Sequence, residues 1–157
     1  MRTEAAQAAA LIRKELKANG IAARVTSQTY SGGDSVRVCL NDEFPATKEA
    51  VESFANKFQM GSFNGMEDIY EYNNTNADLP QVSYVFVDNI IGDELQQAAW
   101  ELVCSRMAGF ESAPESFKDA WKFHNERGDG GSDLLRRTLS ANDDFGFWSA
   151  RKPRIAA

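Results

Sequence analysis

Ala22-Ala23-Arg24-Val25-Thr26-Ser27-Gln28-Thr29, then Tyr30-Ser31-Gly32-Gly33-Asp34, then Ser35-Val36-Arg37-Val38-Cys39-Leu40-Asn41: this run decides the fold. Its paired glycines permit positive φ, so Tyr30 to Asp34 reads as a turn between two strands. In the second strand Val36, Val38 and Leu40 face one way and Arg37, Cys39 and Asn41 the other; in the first, Val25 points inward. Upstream, Ala5, Ala8, Ala9, Ile12 and Leu16 recur at helical spacing from about Thr3 to Ala18, and Asn19-Gly20 supplies the stop. Together these segments read as a helix followed by a hairpin.

Working outward, a second helix is expected from about Thr47 to Gln59. Thr47 reads as its N-cap, Pro45 lies just upstream, and Val51, Phe54 and Phe58 form an apolar stripe. Gly61 to Asn76 is rich in glycine, acid and asparagine, with a short strand around Ile69 to Tyr72. Gln81 to Asp88 is the clearest strand, and apolar residues on both faces point to a central position in the sheet. The remainder reads as helical. Asp93 with Gln96, and Ser112 with Glu115, make capping pairs, the second before Phe117, Ala120, Trp121 and His124; Ser132 opens a last helix. The expected class is therefore α+β: an antiparallel sheet packed by helices over residues 1–91, and a helical half over 92–157.

The charge is uneven. Between Asn41 and Glu115 fourteen Asp and Glu face three basic residues, a local net of −11, whereas the whole chain carries −6. Such a field favours basic partners and repels nucleic acid phosphates, so direct binding to duplex DNA is not expected. No apolar run approaches the roughly 18 residues that span a bilayer. The Ala-rich start is interrupted by Gln7 and by Arg13-Lys14-Glu15, as in an amphipathic helix and unlike a signal peptide. Cys39 and Cys104 are far apart and form no CxxC, which fits a reducing, cytoplasmic setting.

No catalytic set assembles. His124 is the only histidine, too few for a triad or, with two scattered cysteines, for a metal centre. Ser31 to Asp34 lacks the phosphate-loop pattern and joins two strands, while Gly61 to Gly65 follows a helix; Asp144-Phe145-Gly146 has no other kinase element around it. No enzyme activity, cofactor or metal is expected. The acids Asp42-Glu43, Glu67-Asp68, Glu71 and Asp93-Glu94 read as a solvated face, a partner surface, or a cation or paired-carboxylate site. Tyr70 and Tyr72 interleave with them, and aromatics beside charges favour a partner surface. The basic end, Arg151-Lys152-Pro153-Arg154, reads as a solubilising terminus.

Two stretches carry a resemblance. One joins Leu11-Ile12-Arg13-Lys14-Glu15-Leu16-Lys17 to Tyr30-Ser31-Gly32-Gly33-Asp34-Ser35-Val36-Arg37-Val38. The other is Gly61-Ser62-Phe63-Asn64-Gly65-Met66-Glu67-Asp68-Ile69-Tyr70-Glu71-Tyr72. In this order and spacing, over roughly residues 5 to 90, they resemble a large polyvalent protein-associated domain family of phages and conjugative elements. The resemblance implies genomic context and no catalytic residues. A small acidic protein of a mobile element is similar, by analogy, to anti-defence inhibitors, anti-CRISPR proteins among them.

The function expected is a non-enzymatic inhibitor that binds a host CRISPR-Cas effector or another nucleic-acid-handling protein, through Asp42, Glu43, Glu67, Asp68, Tyr70, Glu71 and Tyr72. The alternative is an accessory module acting on nucleic acid during element transfer. A homodimer is also expected, because Trp100, Trp121, Phe145, Phe147 and Trp148 look surplus to the core of a small sheet domain.

Overall fold

Helix α1 spans Glu4–Ala18 and has both of its ends satisfied. Thr3 Oγ1 accepts from the Ala6 N–H at 3.2 Å, and the Asn19 N–H donates to Glu15 O at 3.0 Å. Its buried stripe, Ala5, Ala8, Ala9, Ile12 and Leu16, is the one the spacing predicts. The stripe packs on one face of the hairpin formed by β1 (Ala23–Tyr30) and β2 (Gly33–Asn41), where Val25, Val36, Val38 and Leu40 are buried. Ser31 and Gly32 close that hairpin, and Gly32 alone of the two takes a positive φ, +93°. Helix α2 (Pro45–Ala55) and the 3-10 turn Asn56–Phe58 add Val51, Ala55 and Phe58 to the same core.

In this computed structural model, which describes residues 2–122 and 131–151, the chain divides into two units, Met1–Ile90 and Ile91–Ala157. The fold is α+β. In the first unit the sheet order is β1-β2-β5, with β5 at Tyr84–Ile90. The expected antiparallel pairing holds for β1 with β2, but β5 runs parallel to β2, from Ser35↔Tyr84 to Asn41↔Ile90. The cause is the connection through α2, which returns the chain to the end of the sheet where β2 began. The strand predicted to be central is also at an edge. Its apolar residues are covered on two sides by different means. Val82, Val85 and Val87 join the core, whereas Tyr84 and Phe86 stack on each other on the opposite face. Just before β5, Val82 is bridged to the chain at Gln59, the Val82 N–H donating to Phe58 O at 2.8 Å and the Met60 N–H to Val82 O at 2.9 Å.

Two helix starts differ from the expected caps. Pro45 is the first residue of α2, so Thr47 lies inside the helix and Phe44 precedes it. In the second unit α3 (Asp93–Arg106) begins after Gly92, which leaves Asp93 in the first turn, where its charge suits the helix dipole. The Ser112–Glu115 pair starts no α-helix. Side chains of α3 take the backbone groups that a helix there would use: the Trp100 indole N–H donates to Pro114 O at 2.7 Å, Gln97 Nε2 to Glu115 O at 2.7 Å, and the Phe117 N–H to Gln97 Oε1 at 3.0 Å. The chain continues into a 3-10 turn, Phe117–Lys122, and later into α4, Gly131–Leu139. Phe123, His124 and Lys152 to Arg154 lie outside the described residues.

The aromatics of this unit are mostly not surplus. Trp100, Phe110, Phe147 and Trp148 are 1–6% exposed, and the Trp148 indole N–H donates to Leu139 O at 3.0 Å. The reason is local: Trp100 leans on Phe110 at 6.0 Å between ring centroids, and Phe147 meets Trp148 edge-on at 5.1 Å. Trp100, Phe147 and Trp148 are thus unavailable for the intersubunit contact assigned to them. Phe145 is half-buried, and Trp121 is exposed. Cys39 and Cys104 are free thiols. No helix among the described residues is long and apolar enough to cross a membrane.

Candidate functional site

The stretch rich in glycine and acid folds into a hairpin of its own. Strand β3 (Ser62–Asn64) pairs antiparallel with β4 (Ile69–Glu71), with Phe63 opposite Tyr70. Gly61 makes this closure sterically feasible. A Cβ there would lie 1.9 Å from Glu71 O and 2.9 Å from Tyr70 Cε1. Asn64 then shapes the turn from both ends of its amide, its Oδ1 accepting from the Met66 N–H at 3.0 Å and its Nδ2 donating to Glu71 Oε1 at 2.7 Å. Asp68 closes the turn with a φ of 55°, a conformation that aspartate tolerates.

Side chains pin the hairpin to the sheet. The Tyr70 hydroxyl donates to Ser83 O at 2.6 Å. Burial, reinforced by the neighbouring Tyr84, holds the Tyr70 pKa above its ordinary value and so favours the protonated phenol that this bond requires. Asn74 Nδ2 donates to both Asn56 O and Gln59 O at 2.8 Å, and Asn73 Nδ2 to Ser62 Oγ at 2.9 Å. The other motif stretch has a matching role. Asp34 Oδ1 accepts from the Ser83 N–H at 2.8 Å and from Ser83 Oγ at 3.2 Å, which locks the β1–β2 turn to the strand that carries the Tyr70 anchor.

Held this way, the hairpin turns apolar side chains to solvent. Phe63, Met66, Ile69 and Tyr72 are 53, 96, 48 and 68% exposed, with the exposed acids Glu67 and Asp68 at the tip. From Tyr72 a row of rings continues onto the open face of the sheet. Tyr72 meets Tyr70 edge-on at 5.2 Å, Tyr70 meets Tyr84 edge-on at 5.6 Å, and Tyr84 stacks on Phe86 at 6.1 Å. The Arg37 guanidinium ends the row, 5.0 Å from the Phe86 ring centre and 2.7 Å from Asp88 Oδ2. An exposed apolar surface rimmed by charge is the usual form of a protein-docking site.

The residues singled out from sequence are therefore split. Glu67, Asp68 and Tyr72 stand on the exposed surface; Tyr70 and Glu71 lie in the same hairpin but are half-buried and engaged in holding it. Asp42 and Glu43 belong to the end of β2 instead. Glu43 is 6% exposed and cannot offer its charge to a partner, because Asn89 grips its backbone, accepting from the Glu43 N–H at 3.2 Å and donating to Glu43 O at 2.7 Å. Asp93, of the Asp93-Glu94 pair in the second unit, bonds Lys118 at 2.7 Å. Among the described residues no group of three or more His, Cys, Asp or Glu is placed to hold a metal ion. Phe63, Met66 and Ile69 were not marked by the sequence reading. Their signal is an apolar residue at every third position of an otherwise polar loop.

The second unit offers a different concavity, about 640 Å³, lined by Ile91, Phe117, Trp121, Leu135 and Leu139. Its two cations are already engaged, Lys118 with Asp93 and Arg136 with Asp133 at 3.6 Å. Among the described residues its lining is led by apolar side chains, with Gln96, Ser132 and Ser140 as its uncharged polar members.

Comparison with known proteins bears on the first unit. Searches of curated proteins and of solved structures return no match. A family model, described as Large polyvalent protein associated domain 29, matches residues 3–95, and the chain belongs to that family, a module associated with phages and other mobile elements.

Proposed function

We propose that this member of the large polyvalent protein associated domain 29 family is a non-enzymatic docking module of a mobile element. In this reading it acts in the host cytoplasm on a nucleic-acid-handling protein, foremost a CRISPR-Cas effector or its helicase-nuclease. It covers a basic surface there and so blocks nucleic-acid engagement or assembly. One observation carries the reading: the rigidly anchored hairpin that exposes Phe63, Met66, Ile69 and Tyr72 beside Glu67 and Asp68. An aromatic anchor with an acidic rim suits a basic protein surface, the rings giving affinity and the acids on-rate.

The test uses the full chain as bait in lysate of a host carrying CRISPR-Cas, beside a Glu67→Gln/Asp68→Asn/Tyr72→Ala variant that leaves the Tyr70 anchor intact. Capture of a nucleic-acid-handling protein, reduced at least tenfold by the variant and weakened by salt, is the expected result. Equal capture by both baits rejects the hairpin as the docking surface.

A second reading, an accessory module acting on nucleic acid, draws on the Tyr84–Phe86 stack with Arg37 on the sheet face opposite the first unit's core, an arrangement on which single-stranded bases could stack. Submicromolar, salt-sensitive binding of single-stranded DNA, lost in Phe86→Ala, would put it first.

A further inference from the structure

We infer that the free edge of β1 is a self-association surface, on which a second copy of this chain adds its own β1 antiparallel about a two-fold axis at Ser27. Strand β1 ends the sheet, and among the described residues no strand pairs with its outer side. Two observations fix which backbone groups face outward. The two-residue turn makes Tyr30↔Gly33 the closing pair, so Tyr30, Gln28, Thr26 and Arg24 bond inward to β2. Independently, Val25 O accepts from Arg13 Nη2 at 2.8 Å, a side-chain donor on the outer side. Ala23, Val25, Ser27 and Thr29 therefore present their N–H and C=O groups to the edge.

Folded proteins blunt such edges with lysine, proline, bulges or short length. Here β1 has eight residues, no lysine and no proline, and pairs with β2 residue for residue. From Val25 to Gly33 no side chain of the strand is charged, and in this register the Arg13 guanidinium held at Val25 O of each copy meets Thr29 of the other, not a like charge. The register about Ser27 is also complementary. It sets Thr26 beside Gln28 of the second copy and Val25 beside its Thr29. On the open face it sets exposed Arg24 beside the exposed Tyr30 ring, a cation–π pair formed twice by symmetry. The two three-stranded sheets become one of six strands. This interface needs none of the second-unit aromatics, and it goes beyond the docking function of the hairpin.

A strand pair of this length buries less than the roughly 1,200 Å² of a standard stable interface, so association is expected at micromolar concentration. Light scattering from about 1 to 200 μM should show mass rising from 17.4 kDa toward twice that value. Ser27 is exposed, so Ser27→Lys should leave folding intact and hold the mass at one chain. In a Cys39→Ser/Cys104→Ser background, Ser27→Cys should oxidise to a covalent dimer, while Thr29→Cys, which faces Val25 of the second copy, should not. A single-chain mass throughout the range overturns the inference and leaves the edge to a strand of another protein. A dimer unaffected by Ser27→Lys, or cross-linked equally well through both cysteines, overturns it too.

Discussion

Gly61 and Gly65 sit four residues apart in one motif and look equivalent as letters, yet the structure assigns them opposite consequences. A Cβ at Gly61 would stand 1.9 Å from Glu71 O, and real Cβ atoms essentially never come within 3.0 Å of such a neighbour. Strand β4 would have to move by about 1.1 Å or more, the difference between those two values. Backbone cannot yield as a side-chain end can, so β3 and β4 would part. With them would go the Tyr70 hydroxyl bond to Ser83 O, about 1 kcal/mol, and the Tyr70–Tyr84 edge contact, about another 1 kcal/mol. Gly61→Ala should therefore cost about 2–3 kcal/mol in the first unit. At Gly65 the nearest atom to an added Cβ is Phe63 Cε1 at 4.0 Å, an ordinary contact, so Gly65→Ala should cost no more than about 0.5 kcal/mol. The assay is hydrogen exchange read by residue, which separates the first unit from the second where one global melt would not. Gly61→Ala should speed exchange across Ser62–Glu71 and loosen Ser83, while α1 remains protected. If both variants exchange alike, the steric account of the motif is wrong.

The carboxylate hydrogen bonds lead to two more expected outcomes. Asp34→Ala removes the carboxylate that accepts from both Ser83 N–H and Ser83 Oγ, and should destabilise the first unit by about 1.5–3 kcal/mol in denaturant unfolding; a loss under about 0.5 kcal/mol would contradict the clamp. In the second unit, burial works to raise the Asp143 pKa, but bonds from Ser149 Oγ and from the Trp148 and Ser149 N–H groups outweigh it and hold the carboxyl below its ordinary 3.8. A depressed folded pKa stabilises at pH above the ordinary value, and the contribution is lost as acid titrates the folded group. Tryptophan fluorescence should thus report loosening around Trp148 only below about pH 4, and Asp143→Asn should remove that pH step.

The first helix and the hairpin after it were legible because each has one dominant signal. The alanine–isoleucine–leucine stripe from Ala5 to Leu16, the alternation from Val36 to Leu40 and the glycine turn all survive as read. The placement of β5 was not legible. Its two apolar faces look alike in sequence, but one meets the core and the other meets Tyr70, Arg37 and its own rings. Strand order depends on where a long connection returns, and no local pattern records that. The same limit governs the candidate site. Acids and tyrosines between Glu67 and Tyr72 drew notice as residue types. Whether each faces solvent or holds the hairpin is decided by partners remote in sequence, such as Ser83 for Tyr70, just as Asn89 decides the burial of Glu43 at the end of β2. In the second unit Trp100 and Trp148, read as excess, proved to be core, their indole N–H groups finding carbonyls at Pro114 and Leu139, whereas Trp121 is exposed.

The parallel joining of β2 to β5 has a consequence during synthesis. Asn41 ends β2 and Tyr84 starts β5, so the ribosome must deliver Asp42 to Ser83 before the partner strand exists. At roughly 5–20 residues per second that interval lasts about 2–8 s, far longer than the microseconds in which a hairpin such as β1–β2 closes. Throughout it β2 is paired on one side only, and the edge that β5 will cover stays open beside that of β1. Helix α1 is already made and can cover Val36, Val38 and Leu40, which shields their side chains but not the backbone of that second edge. The order in which the elements leave the ribosome, helix before hairpin and closing strand last, thus places the period of greatest aggregation risk in the translation of the segment that bears the β3–β4 hairpin.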